Sequence, residues 1–319
     1  MGQLVDGVWQ ADTQAVRSQD GRFIRTDPQF RDFITADGSS GFKAEAGRYH
    51  LYISLACPWA HRTLIFRRLK GLEDVISLSI VDPLMADQGW AFGDSEGCIA
   101  DPLFGASTMH EIYTQARADY SGRVTVPVLW DRERATIVNN ESPEIIRMFN
   151  SEFAAFAPET LDYYPAELRD EIDAVNERVY EDVNNGVYRT GFAATQESYE
   201  EAFDRLFEAL DWLEARLETR RYLCGAAITE ADWRLFTTLV RFDCVYVGHF
   251  KCNLRRIADY TCLSNYLREL YQIPGIAELC NFRHIKEHYY RSHESINPTR
   301  IVPRGPELTL DQPHDRGRL

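Results

Sequence analysis

Apolar positions set out the plan of the chain. Residues 49–53 form a run that reads as a strand, and it leads directly into Ser54-Leu55-Ala56-Cys57-Pro58-Trp59-Ala60-His61-Arg62. Behind that stretch Ala60, Leu64, Ile65 and Leu69 recur at i, i+4, i+5 and i+9, one face of a helix. Pro58 falls at the first helical position, where its missing N–H costs nothing. The helix is expected to end near Gly71, and 75–81 reads as a second strand. A connection of helix length makes that pair parallel. Residues 82–122 form a long insertion with two Asp-Pro steps and one short helical segment about 110–118, and loops this long are usually functional or ordered by a partner. Segments 124–130 and 135–138 read as a hairpin, and a helix is expected from Glu141-Ser142 to about Asn150.

After a Phe-, Ala- and Pro-rich linker at 151–165 the pattern becomes helical through 166–283. The clearest helix covers 197–220, where Tyr199, Phe203, Leu206, Leu210, Leu213 and Leu217 recur at three- and four-residue steps. Another begins at Thr229, with Asp232 placed to reach back to the cap N–H. Residues 1–47 show no sustained periodicity and read as an extended arm packed over the first domain, with Asp6, Trp9 and Phe23 as anchors or as plain surface residues. A tail at 284–319 carries Pro298, Pro303 and Pro306 and is too proline-rich for a long helix. The order βαβ…ββα over 48–150 is the thioredoxin arrangement. The expected fold is therefore an α/β thioredoxin-like domain followed by an all-helical domain.

Bulk properties narrow the partners. A length of 319 residues suits about two domains, each large enough for its own core. A net charge of -14, from 35 basic and 49 acidic residues, disfavours nucleic acid and anionic lipid. No apolar run approaches the ~18 residues of a membrane span. The N-terminus lacks the basic and apolar regions of a secretory signal, and Asp6 stands where myristoylation wants Ser or Thr. Seven scattered cysteines point to reduced thiols in a cytoplasmic setting.

Cys57 stands at a strand-to-helix junction, near the positive end of a helix dipole, where the nucleophilic thiolate is favoured over the thiol. The fourth place of a Cys-x-x-Cys motif is Ala60, so the chemistry is expected to be monothiol, with an external thiol resolving the mixed disulfide. Glutathione is the abundant candidate. Pro127 opens the third strand, and a cis bond there leaves the preceding backbone free to pair with a peptide-like ligand. Glu141-Ser142 fits either a plain helix cap or a pair binding the γ-glutamyl group, its carboxylate favoured by the helix dipole. Trp90 either covers a ligand or plugs the insertion. Tyr188, Tyr246 and Tyr289 are either hydroxyl donors near a thiolate or core rings. Cys244, His249 and Cys252 resemble metal ligands by type, but lack the paired spacing of a zinc site, so no metal is expected.

With these residues in place, the chain resembles the glutathionyl-hydroquinone reductases, the xi class of the glutathione transferases. The resemblance rests on Cys57-Pro58-Trp59-Ala60, Asn139-Asn140-Glu141-Ser142, the block from Arg241-Phe242-Asp243 to Asn253, and the tail from His288-Tyr289-Tyr290 through Ser292-His293 and Ile296-Asn297-Pro298 to Ile301-Val302-Pro303. It implies that Cys57 is the nucleophile and that Trp90, Arg123, Val126, Glu141 and Ser142 hold glutathione, Val126 through its backbone. It implies that Tyr188 donates a proton, that Tyr246 and Tyr289 help lower the sulfur's pKa, with the adjacent Tyr290 as the alternative to Tyr289, and that the protein is a homodimer. The implied activity is glutathione-dependent reduction of glutathionyl-hydroquinones. The rivals are an omega-like thiol transferase or dehydroascorbate reductase, and a non-catalytic binding module.

Overall fold

The computed structural model describes residues 2–11, 18, 20–158 and 161–319. Parts of the expected arm (12–17 and 19) and of the expected linker (159–160) lie outside the described residues. The chain forms two compact units, each drawn from separate segments: Met1–Ala15, Thr26–Leu161 and Asn281–His288 in one, Val16–Arg25, Asp162–Cys280 and Tyr289–Leu319 in the other. The expected arm and tail are thus each shared between the two units.

In the first unit, β3 (Tyr49–Ile53) is buried at every position, because it runs through the middle of a four-stranded sheet. It pairs in parallel with β4 (Ser77–Ile80) and antiparallel with β5 (Val128–Asp131), which pairs antiparallel with β6 (Thr136–Asn139). The helix α1 (Pro58–Leu69) makes the crossover from β3 to β4 and packs against α3 (Ser142–Ser151). This is the thioredoxin arrangement expected from the apolar pattern.

The arm begins as a hairpin, not as plain extended chain. β1 (Gln3–Val5) and β2 (Val8–Gln10) pair antiparallel around Asp6 and Gly7, both at positive φ (47° and 76°), the backbone of a two-residue hairpin turn. Leu4 exchanges backbone hydrogen bonds of 2.9 Å with Gly122, and Trp9 stacks on His110 at 4.7 Å and donates to the Asp87 carbonyl, so Trp9 is an anchor. The insertion covers the outer edge of β4 through an Ile80–Ile99 bridge. Asp101, at its second Asp-Pro step, accepts from the Tyr52 hydroxyl and from the N–H groups of Leu103, Phe104 and Ala106, ahead of α2 (Met109–Ala116).

The fully buried His50 on β3 bonds Ser77 Oγ through Nδ1 (2.6 Å) and Ser79 Oγ through Nε2 (2.9 Å). Burial pushes its imidazole down from 6.5 to about 4. The unfolded chain therefore binds more protons at this site between these pH values. The stability from neutral His50 is fully present above pH 6.5 and is lost as pH falls toward 4, on the order of 3 kcal/mol across the window. Thermal melts should show the midpoint falling through that window, and His50→Gln, though less stable at pH 7, should show a shallower fall.

The second unit contains α4 (Arg169–Arg178), α5 (Gly186–Gly191), the long α6 (Gln196–Thr219), α7 (Glu230–Arg241), α8 (Val247–His249) and α9 (Thr261–Tyr271). Asp232 reaches back as expected: it accepts from the Thr229 N–H (2.8 Å) and hydroxyl (3.0 Å), and also from the Leu223 N–H and Tyr266 hydroxyl. Two π-helical turns, Val179–Asn184 and Phe242–Tyr246, join α4 to α5 and α7 to α8. The tail, expected from residue 284 as extended chain too proline-rich for a long helix, instead begins inside α10 (Phe282–Ser292), which ends before Pro298. Beyond it, buried Arg316 donates to the carbonyls of Leu217, Arg220 and Arg221, which caps the C-terminus of α6. Phe23, the third proposed anchor, packs on Phe192 at 5.4 Å.

Candidate active site

Cys57 is the N-cap of α1, with extended backbone (φ -75°, ψ 122°), and Pro58 is the first helical residue. Its N–H donates to the Ser54 carbonyl at 3.2 Å, which closes the turn out of β3. The residue is 8% exposed, and Sγ lies 3.5 Å from the Val126 carbonyl, to which the thiol donates. The Val126–Pro127 bond is cis, as the sequence predicts, so the backbone leading into β5 is brought to the sulfur. The sulfur sits at the start of the helix, where the dipole and the first N–H groups stabilise negative charge.

No cysteine of the chain is in a disulfide. Burial pushes other thiols up, Cys98 to about 11 and Cys224 and Cys280 to about 12, and leaves them weak nucleophiles at neutral pH. Cys98 Sγ sits 4.0 Å from the Asp82 carboxylate, which further opposes its ionisation. Ala60, where a resolving cysteine would stand, is fully buried.

Ser142 is the first residue of α3 and is buried; its hydroxyl accepts from Arg62 Nη1 at 3.4 Å. Glu141 is the N-cap, but its side chain makes no cap hydrogen bond, and its N–H donates to Asn139 Oδ1 at 2.7 Å. Arg123 donates to the Gly2 carbonyl at 3.2 Å, and burial lowers its pKa. Trp90 is buried within the insertion and stacks on His288 of α10 at 4.7 Å, while His288 Nδ1 lies 2.9 Å from the Pro83 carbonyl. Neither Arg62 nor His288 was singled out from sequence, because each acts through a neighbour far along the chain.

In the second unit the three selected tyrosines meet. Tyr188, in α5, and Tyr289, in α10, have hydroxyls 2.6 Å apart, and the Tyr246 hydroxyl lies 3.0 Å from that of Tyr289. Tyr289 is therefore the middle of a three-hydroxyl chain. Tyr290 points elsewhere, donating to the Cys244 carbonyl at 3.3 Å. Both Tyr188 and Tyr246 are tied to π-helical turns, one just before α5 and one ending at Tyr246; the extra residue in each turn re-aims the following side chains. Burial raises the pKa of Tyr246 and Tyr289 well above the usual phenol value, so both remain protonated hydrogen-bond donors at neutral pH. His249, one of the rejected metal ligands, lies with Nε2 3.1 Å from His293 Nδ1. Among the described residues, no group of three His, Cys, Asp or Glu could hold a metal ion, and no helix is long and apolar enough to cross a membrane.

Comparison with known proteins places this geometry in a family. The glutathione S-transferase N-terminal domain matches residues 56–152, and its C-terminal domain matches 196–269. A glutathionyl-hydroquinone reductase of Escherichia coli, YqjG, is 55% identical over 323 aligned residues, covering 99% of this chain and 98% of the relative. The solved Xi-class transferase of Natrialba magadii superposes with a TM-score of 0.95 at 51% identity, covering 100% of this chain and 97% of that one. The chain belongs to the Xi class of the glutathione transferases. The glutathione-bound structure of the E. coli protein superposes on this transferase with a TM-score of 0.92 at 53% identity, covering 99% of each chain. The transferase thus has the family's thioredoxin-like N-terminal and helical C-terminal domains.

Proposed function

We propose that this transferase reduces glutathionyl-hydroquinones with glutathione. Trp90, Arg123, Val126, Glu141 and Ser142 hold glutathione, Val126 through its backbone and Ser142 at the start of α3. The Cys57 thiolate attacks the glutathione sulfur of the substrate. The Cys57–glutathione disulfide forms, the aryl carbon–sulfur bond breaks, and the electron pair passes to the aryl carbon. A bare aryl carbanion is too unstable to leave, so Tyr188 supplies the proton that carbon needs. Tyr289 and Tyr246 are the hydrogen-bond donors that lower the thiolate's pKa. A second glutathione, losing its thiol proton, attacks the mixed disulfide and leaves as oxidised glutathione. One glutathionyl-hydroquinone and one glutathione become one hydroquinone and one oxidised glutathione.

The observation that carries this reading is the Tyr188–Tyr289–Tyr246 hydroxyl chain, because exchange between thiols and disulfides needs no proton donor to carbon. The name of the E. coli relative supports it. The odd number of cysteines, seven scattered through the chain, supports a cytoplasmic location, and the family resemblance supports a homodimer. A panel of glutathionyl-hydroquinones, small glutathione disulfides and dehydroascorbate tests the reading. The expected result is a kcat/KM at least about tenfold higher for the hydroquinone conjugates, a gap of transition-state binding. A preference for disulfides or dehydroascorbate would instead favour the omega-like reading.

A further inference from the structure

We propose that Arg25, from the N-terminal arm, is a positioning residue for Tyr188: its guanidinium fixes the phenol ring and eases departure of the proton that the reaction consumes. The inference rests on the reading of Tyr188 as proton donor.

The guanidinium carbon of Arg25 lies 5.0 Å from the centroid of the Tyr188 ring, and Nε donates to Asn185 Oδ1 at 2.9 Å. Asn185 is the residue from which α5 starts; its carbonyl accepts from the Tyr188 N–H (3.0 Å) and the Arg189 N–H (2.8 Å). Arg25 therefore engages both the ring and the helix start that aims it. Two residues earlier, Phe23 packs on Phe192, whose ring lies parallel to that of Tyr188 at 6.3 Å. The arm is thus docked by an apolar anchor, with the cation carried beside it.

A cation over the face of a phenol stabilises the phenolate more than the phenol, since the ring's negative face gains electron density on ionisation. Several other described groups neighbour Tyr188. The Tyr289 hydroxyl bonds the Tyr188 hydroxyl, the Tyr246 ring is tilted at 6.2 Å, and Phe192 and Phe250 are apolar. Arg241 acts on Tyr246 and Tyr289. Arg189, on the same helix as Tyr188, is paired with Glu181 at 2.6 Å. Arginine suits the task better than lysine because its planar group can stack on the ring while Nε still donates to Asn185.

The test measures carbon–sulfur cleavage and glutathione–disulfide exchange against pH for the wild type, Arg25→Gln, Arg25→Lys, Tyr188→Phe and the Arg25→Gln/Tyr188→Phe double variant. A proton donor must be protonated to act, so activity is lost as pH rises through its pKa; removing the cation raises that pKa. Arg25→Gln should lower cleavage about fivefold more than exchange and move the alkaline limb of cleavage up by about half a pH unit. Arg25→Lys should hold the limb near its wild-type place, and Arg25→Gln should add no further loss in the Tyr188→Phe background. An unmoved limb, or equal loss of both reactions, overturns the inference while leaving the donor reading intact. Unimpaired cleavage by Tyr188→Phe overturns the donor reading, and the inference with it.

Discussion

Replacing Cys57 by Ala should abolish release of hydroquinone from a glutathionyl-hydroquinone, lowering kcat by roughly a thousandfold or more, as loss of a covalent nucleophile does. The fold should barely notice. The substitution removes only the sulfur at the N-cap of α1 and keeps the backbone that starts the helix, so its cost in stability is about 1 kcal/mol. Cys98, Cys224 and Cys280 are poor substitutes, because burial raises their pKa and favours the thiol form. Glutathione–disulfide exchange should fall with hydroquinone release, since both pass through the same mixed disulfide. Steady-state assays beside a thermal melt check the prediction, and substantial residual cleavage in a folded Cys57→Ala protein would refute the mechanism.

Tyr188→Phe should separate the two reactions that Cys57→Ala removes together. Carbon–sulfur cleavage should slow by about a hundredfold, within the range for a positioned general acid, while disulfide exchange should fall far less. The sulfur leaving in exchange is a stable thiolate, whereas the aryl carbon leaving in cleavage needs a proton. The variant also breaks the 2.6 Å bond to Tyr289, leaving the Tyr289–Tyr246 pair at 3.0 Å in place. An equal loss of both activities would remove Tyr188 from the proton-donor role.

The parts of this account legible in the sequence are those written in local pattern. Pro58 after an apolar run predicts the strand-to-helix junction, and the apolar spacing behind it predicts α1. Thr229 and Asp232, three residues apart, predict the start of α7. The thioredoxin arrangement, once read from these elements, makes the bond before Pro127 cis. The hairpin at Gln3–Val5 and Val8–Gln10 escaped because three-residue strands are too short to show alternation. α10 is hidden because the prolines that argue against a long helix, from Pro298 on, all lie beyond its end. The π-helical turns before Tyr188 and at Tyr246 leave no mark on apolar spacing, yet they set where those rings point. Contacts such as Tyr188 with Tyr289, Arg62 with Ser142 and Arg25 with Asn185 join residues 80 to 160 positions apart, which periodicity cannot pair. Family resemblance selected the three tyrosines; only the fold makes Tyr289, and not Tyr290, the hydroxyl between the other two.

The most direct measurement is a single turnover without added glutathione. Fully reduced protein, in excess, is mixed with a glutathionyl-hydroquinone, and both the released hydroquinone and the mass of the Cys57 peptide are followed. Hydroquinone should appear in step with a glutathionyl group on Cys57, and added glutathione should then remove that group as oxidised glutathione. Hydroquinone released while Cys57 stays unmodified, or no release until free glutathione is present, would contradict the account.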